Sequence, residues 1–224
     1  MQLETLALFG GTFNPPHSGH IQTVISAANE FHLALINMLL APVPPHKEVN
    51  YATLEQRAEM LRLACEDYPQ CVPDFTELGL PAPHYTVQTL RHLRTQYPNR
   101  SIVFIIGGDS LENIHTWREW QSLLNYTHLL VLPRPNTQTP ADTSVQQWIK
   151  KHTELNKSKM TQLPCGRLFF AETPLWDVSS TQLRNQFALN HIDAQNCELE
   201  KLVPAKVVAY IKQHRLYKKS AEKR

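Results

Sequence analysis

The run Gly10-Gly11-Thr12-Phe13-Asn14-Pro15-Pro16-His17-Ser18-Gly19-His20 places two glycines and two histidines at spacings that suit an anionic ligand. Glycine lets backbone pass close to phosphate, and a helix beginning at Ser18 offers free N–H groups there. His17 and His20 stand three residues apart at the helix entry, so both rings can face one side. Gly19 between them removes a side chain that would block a nucleotide. Two imidazolium donors on one phosphoryl group suit a reaction that builds charge on phosphoryl oxygens. A pair of surface histidines in a turn is the plain alternative. Neither the G-x-G-x-x-G fingerprint nor the P-loop pattern is present.

Four further places carry chemistry. Ser179, Ser180 and Thr181 precede a helix and can leave hydroxyls and amides for phosphate oxygens, with the forked cation of Arg184 one turn along. His46 and Lys47 follow the stiff pair Pro44-Pro45. Asp109 follows the most apolar run of the chain, where it meets a nucleotide or caps the next helix. Arg134 ends another apolar run and points to the site edge. Arg57 reads as a structural ion pair within its helix. The remaining histidines show no metal-ligand spacing, and Cys65, Cys71, Cys165 and Cys197 form no C-x-x-C pair, so reduced thiols and no structural zinc are expected.

The elements that must hold these residues follow from periodicity. Strands are expected at Thr5–Phe9, Leu35–Leu40, Val72–Leu78, Ser101–Gly107, His128–Leu132 and Leu168–Ala171. Ile102–Ile106 has no polar interruption, as a strand buried on both faces requires. Helices are expected at Ser18–Phe31, from a Thr53/Gln56 capping box through Cys65, from a Thr86 cap to Tyr97, and at Pro204–His214. The polar stretch Arg134–Gly166 reads as a loop with a short helix near Gln146–Lys151. This alternation predicts an α/β, doubly wound, mostly parallel sheet, with ligands at the carboxyl ends of its strands. The chemically loaded residues do follow strands.

With 224 residues, 42% hydrophobic and 19% charged, the chain can bury a core. One domain over 1–217 and a basic, disordered tail over 218–224 are expected. The net charge of +2 owes much to that tail, which holds four basic groups and one acid; without it the charge is −1. No clustered basic face points to nucleic acid, no apolar run reaches membrane-spanning length, and no export signal opens the chain. The cytoplasm is the expected compartment, and oligomeric state is open.

Gly10–His20 resembles the G-G-T-F-[DN]-P-x-H-x-G-H signature of bacterial nicotinate-nucleotide adenylyltransferases, in the H-x-G-H nucleotidyltransferase superfamily. Pro44-Pro45-His46-Lys47, Tyr85-Thr86, Ile105–Ser110 and Ser179–Arg184 continue the resemblance in order along the chain. It implies a Rossmann-like nucleotidyltransferase fold and transfer of AMP from ATP to nicotinic acid mononucleotide, giving deamido-NAD and pyrophosphate in NAD biosynthesis. His17, His20, Lys47 and Arg184 would then be catalytic. Gly10, Gly11, Thr12, Phe13, Gly19, Asp109, Ser179, Ser180 and Thr181 would hold ATP. Tyr85, Thr86, Trp117, Arg134 and Trp176 would contact the acceptor, the tryptophans stacking on its pyridine ring. Mg²⁺ is implied with ATP, bridging phosphate oxygens and water, and no protein residue is assigned to it. An enzyme using nicotinamide mononucleotide or pantetheine phosphate, or a nucleotide-sensing module without turnover, are the other readings.

Overall fold

The computed structural model describes residues 2–42, 52–134, 138–189 and 201–218. Six strands form one sheet: β1 (Thr5–Gly11), β2 (Ile36–Leu40), β3 (Cys71–Asp74), β4 (Ser101–Gly107), β5 (His128–Leu132) and β6 (Leu168–Phe170). Their order is β3-β2-β1-β4-β5-β6, with every neighbouring pair parallel. The chain winds outward from β1 through β2 and β3, then returns to β4 on the other side. That reversal opens a crevice at the carboxyl ends of β1 and β4.

Among the described residues the helices are α1 (Ser18–Phe31), α2 (Leu54–Cys65), α3 (Thr86–Gln96), α4 (Gly108–Glu112), α5 (Thr143–His152), α6 (Lys159–Gln162), α7 (Ser180–Leu189) and α8 (Ala205–Gln213). They cover both faces of the sheet. Because side chains alternate along a strand, Ala7, Phe9, Val103, Ile105 and Leu130 meet α1, α2, α7 and α8. Leu8, Ile102, Phe104, Ile106 and Leu129 meet α3, α4 and α5. Every residue of β4 is buried, as its apolar run requires. Ile105→Ala in such a packed layer costs about 2–5 kcal/mol, so the strand ends form a firm platform.

Three local expectations change. The third strand is only Cys71–Asp74, and a 3₁₀ turn at Thr76–Gly79 takes the rest. It is an edge strand, which is why Pro73 is tolerated within it. Thr86 is the first residue of α3 and not its cap: Tyr85 holds the cap position and gives no side-chain hydrogen bond. The stretch expected as a loop with a short helix near Gln146–Lys151 does hold that helix, as the longer α5 capped by Asp142 through the amides of Ser144 and Val145, and adds α6. No described helix is long and apolar enough to cross a membrane.

Candidate active site

β1 delivers the chain into the crevice through Gly10 and Gly11. Phe13 then turns it with φ +46°, in the left-handed region that non-glycine residues rarely adopt. Its ring is buried and locks the turn. It lies edge-on to Phe9 and His20, at 6.0 and 5.2 Å between ring centres. A Cβ on Gly11 would stand 2.9 Å from the same ring, so only glycine fits over it.

His17 is the N-cap of α1, and with His20 it forms a capping box made of two imidazoles. His17 Nδ1 accepts from the His20 amide and His20 Nδ1 from the His17 amide, each at 3.3 Å. The rings stack with centres 3.6 Å apart and planes 25° from parallel. This geometry fixes the tautomer. An Nδ1 that accepts a hydrogen bond carries no proton, so each neutral ring holds its proton on Nε2, at the far side from the backbone. Burial, and then the nearby Arg134 cation, push His17 down to about 3. Burial, His17 and Arg134 hold His20 well below the usual histidine range. The expected imidazolium pair is therefore a neutral pair, because two stacked cations beside Arg134 cannot be accommodated in a partly dry crevice.

Gly19 serves a contact that the sequence did not suggest. A Cβ there would lie 2.6 Å from Val178 Cγ1 and 3.1 Å from His17 Nδ1. Its bare Cα lets the segment before α7 close onto the histidine pair. Ser180 Oγ donates to the Pro15 carbonyl at 2.9 Å, and Arg184 Nη1 to the Asn14 carbonyl at 2.8 Å. Ser179 and Gln182 form the capping box of α7: the Gln182 amide donates to Ser179 Oγ at 3.2 Å and the Ser179 amide to Gln182 Oε1 at 2.9 Å. Thr181 Oγ1 accepts from Arg184 Nη2 at 3.1 Å. The two half-sites, some 160 residues apart in sequence, thus form one wall.

β4 and β5 supply the next wall. The backbone of Gly107 holds the N-cap position of α4 without a side-chain bond, so Asp109 is not a cap. Asp109 Oδ1 instead faces Arg134 Nε at 3.8 Å. A Cβ on Gly107 would stand 2.3 Å from that carboxylate and 3.1 Å from Arg134 Nε, so this glycine makes room for the pair. Tyr85 lies under the Arg118 guanidinium, 5.2 Å from ring centre to Cζ, which joins the start of α3 to the segment bearing Trp117. Trp117 packs on the α3 face of the sheet and Trp176 on the α1 face, so the structure does not bring the two tryptophans together. Trp176 Nε1 is buried without a hydrogen-bond partner among the described residues. His46 and Lys47 lie outside the described residues, as does the basic tail beyond Lys218.

Three contributors were not legible as site residues. Asn14 is buried, and its Oδ1 accepts from the Tyr217 hydroxyl at 2.7 Å. Tyr217 is itself buried, and that burial pushes its phenol up. Arg57 is fully buried and forms no ion pair among the described residues: one nitrogen, Nη1, donates to the Thr12 carbonyl at 2.9 Å and to the Ala41 carbonyl at 2.8 Å. Helical spacing carried a signal for it, since Arg57 shares a face with Leu54, Ala58 and Leu61.

Among the described residues no three His, Cys, Asp or Glu side chains come together to hold a metal ion. Asp109, just past the carboxyl end of β4, already faces Arg134. Such a donor set fits an ion carried in on phosphate oxygens and water. Cys65 and Cys71 are buried free thiols, which burial pushes up to about 12 and about 11 and so makes inert.

Residues 8–186 match the model of the cytidylyltransferase-like family. A protein of Pseudoalteromonas atlantica named "Probable nicotinate-nucleotide adenylyltransferase" is 36% identical over 215 residues, covering 96% of this chain and 95% of its own. One of Escherichia coli with the same name is 38% identical over 214 residues, covering 95% and 98%. Among solved structures, a Plasmodium falciparum nicotinic acid mononucleotide adenylyltransferase, complexed with NaAD, superposes with a TM-score of 0.70 at 16% identity. That match covers 96% of this chain and 97% of the other, and it establishes the fold.

Proposed function

The chain belongs to the nicotinate-nucleotide adenylyltransferases of the cytidylyltransferase-like family, and on that premise we propose that it transfers AMP from ATP to nicotinic acid mononucleotide. The observation that carries the reading is the reciprocal capping of His17 and His20. It leaves two neutral rings with their Nε2–H groups turned from the backbone, beside Arg134 and the α7 wall.

The reaction needs no nucleophile from the protein. A phosphate oxygen of the mononucleotide attacks the α-phosphorus of ATP and forms the new P–O bond. The bond from that phosphorus to the bridging α–β oxygen breaks, and pyrophosphate leaves with its electron pair. Both reactants are anions, so catalysis consists of positioning and charge neutralisation. The Nε2–H donors of His17 and His20 hold the oxygens of the reacting phosphates. Neutral donors suit this role, since they neither take up a proton nor bind the product too firmly. Thr181, Arg184 and the amides at the start of α7 hold the β- and γ-phosphates, with Lys47 on the leaving pyrophosphate. Gly10–Phe13 carry backbone close to the nucleotide, and Asp109 with Arg134 bounds it on the β4 side.

Mg²⁺, when bound with ATP, neutralises phosphate charge. The acceptor ring is assigned to Tyr85, Thr86 and Trp117, which share the α3 side of the sheet; Trp176, on the other face, is less suited to it. A cytoplasmic setting belongs to the same proposal. The test is purified protein with Mg²⁺ and ATP, offered nicotinic acid mononucleotide, nicotinamide mononucleotide and pantetheine phosphate in turn, with pyrophosphate release as readout. Release with the first acceptor is expected. No release with any would leave a nucleotide-sensing module.

A further inference from the structure

We propose that Arg57 is a positioning residue of this site: it fixes the loops after β1 and β2 against each other and lends its buried charge to the phosphates bound above them. The inference rests on the adenylyl-transfer reading for the identity of those phosphates.

The geometry is specific. Arg57 Nη1 alone bridges two carbonyls, Thr12 O in the loop that leads to His17 and Ala41 O just past β2. The Ala41 amide in turn donates to the Gly11 carbonyl at 2.9 Å, so the two loops are closed into a ring around the guanidinium. By holding the Thr12 carbonyl, Arg57 orients and polarises the Thr12–Phe13 peptide, where Phe13 takes its left-handed turn. The peptide N–H on the opposite side becomes the stronger donor.

The chemistry around the cation is unusual. The side chain is fully buried, yet Nε and Nη2 have no hydrogen-bond partner among the described residues. No carboxylate among the described residues pairs with it; Glu55, on the surface, and the Tyr217 hydroxyl act on it only at longer range. A buried guanidinium with two unmet donors is costly, and an apolar residue of similar volume would serve a merely structural helix better. What the arrangement gains is a positive charge held one hydrogen bond behind a phosphate-binding backbone, in a medium that screens it little. Arg57 cannot itself reach a ligand, so its action passes through the loops.

Kinetics of Arg57→Gln and Arg57→Lys with ATP, nicotinic acid mononucleotide and Mg²⁺ test this, beside inhibition by added pyrophosphate and thermal melts. Gln keeps a donor and removes the charge; Lys keeps the charge but loses the planar guanidinium and its reach. Arg57→Gln should lower kcat about 10- to 100-fold and weaken pyrophosphate inhibition about tenfold, leaving KM for the mononucleotide within about threefold. Arg57→Lys should lose about tenfold in kcat while holding pyrophosphate inhibition within about threefold of the unaltered chain. Unaltered kcat in both variants, or unaltered pyrophosphate inhibition in a folded Arg57→Gln, overturns the proposal. Should Arg57→Gln not fold, unaltered kcat in Arg57→Lys overturns it. If the unaltered chain makes no deamido-NAD, the functional reading fails instead, and pyrophosphate binding to the free proteins, measured by calorimetry, still judges Arg57.

Discussion

The hydroxyl of Tyr217 donates to Asn14 Oδ1 over 2.7 Å, fastening the end of the described chain to the loop that carries His17. Tyr217 → Phe leaves a buried amide oxygen without that donor, a loss of about 1–3 kcal/mol. The expected result is a lower melting temperature together with reduced turnover, because the loop that loses its anchor is the one that presents the histidines. Deleting 219–224 should change neither. A melt and a rate for both proteins check this; equal behaviour would mean that the anchor is idle.

His20→Ala removes one phosphate donor and half of a capping box. Transfer should slow by about 10²–10³, as when one preorganised donor is deleted elsewhere, while stability falls by only about 1 kcal/mol. Because burial keeps both rings neutral, the rate of the unaltered chain should not fall between pH 6 and 8 through histidine deprotonation. A kcat profile across that range tests the neutral pair directly. A descending limb near 6.5 would show that the working form is an imidazolium.

Acid should unfold this protein in a defined window. His128 is fully buried, with Nε2 at 2.9 Å from the Leu163 carbonyl and Nδ1 accepting from the Arg167 amide at 3.1 Å. Burial pushes it down to about 4, against 6.5 for an exposed ring. The unfolded chain therefore takes up a proton below about pH 6.5 that the native state refuses until about pH 4. Stability is lost as pH falls through that interval, by about 2 kcal/mol from pH 7 to 5 for this one residue. Denaturant titrations of the unaltered chain and of His128→Gln should show a shallower acid slope in the variant. Identical slopes would contradict the assignment.

Arg184 → Lys keeps a charge but loses the planar fork whose two nitrogens reach the Asn14 carbonyl and Thr181 Oγ1 separately. The expected cost is about 10- to 100-fold in kcat/KM for ATP with a small shift in melting, since α7 retains its Ser179/Gln182 cap. Kinetics with varied ATP and fixed mononucleotide decide it. A loss confined to the melting temperature would make Arg184 a structural strut.

How far the sequence reached depends on the range of the interactions involved. α1 falls at Ser18–Phe31 as read, and β4 at Ser101–Gly107, because a cap and an uninterrupted apolar run are local signals. The histidine pair was legible for the same reason, as neighbours three apart at a helix entry. Its protonation was not, since that comes from burial and from Arg134, more than a hundred residues away. The packing role of Gly19 was not legible because its crowding neighbour, Val178, belongs to a distant segment. The bond between Tyr217 and Asn14 spans 203 positions, and no spacing rule foretells it. Arg57 read as a structural ion pair of its helix, because its two carbonyl partners, Thr12 and Ala41, lie in loops distant in sequence.

The choice of acceptor turns on one functional group. Nicotinic acid mononucleotide carries a carboxylate where its amide counterpart carries an NH₂ donor. The start of α3 offers the Thr86 hydroxyl, and its Tyr85 cap engages none of the first amides with a side chain. No Asp or Glu lies between Pro81 and Gln88 to receive an amide donor. Donors meeting donors cost a few kcal/mol, so the acid should be preferred by about a hundredfold or more. The measurement is kcat/KM for the two mononucleotides side by side, with saturating ATP and Mg²⁺ and the dinucleotide product identified by mass. Deamido-NAD formed with that preference is the predicted result; equal efficiencies, or a preference for the amide, would contradict it.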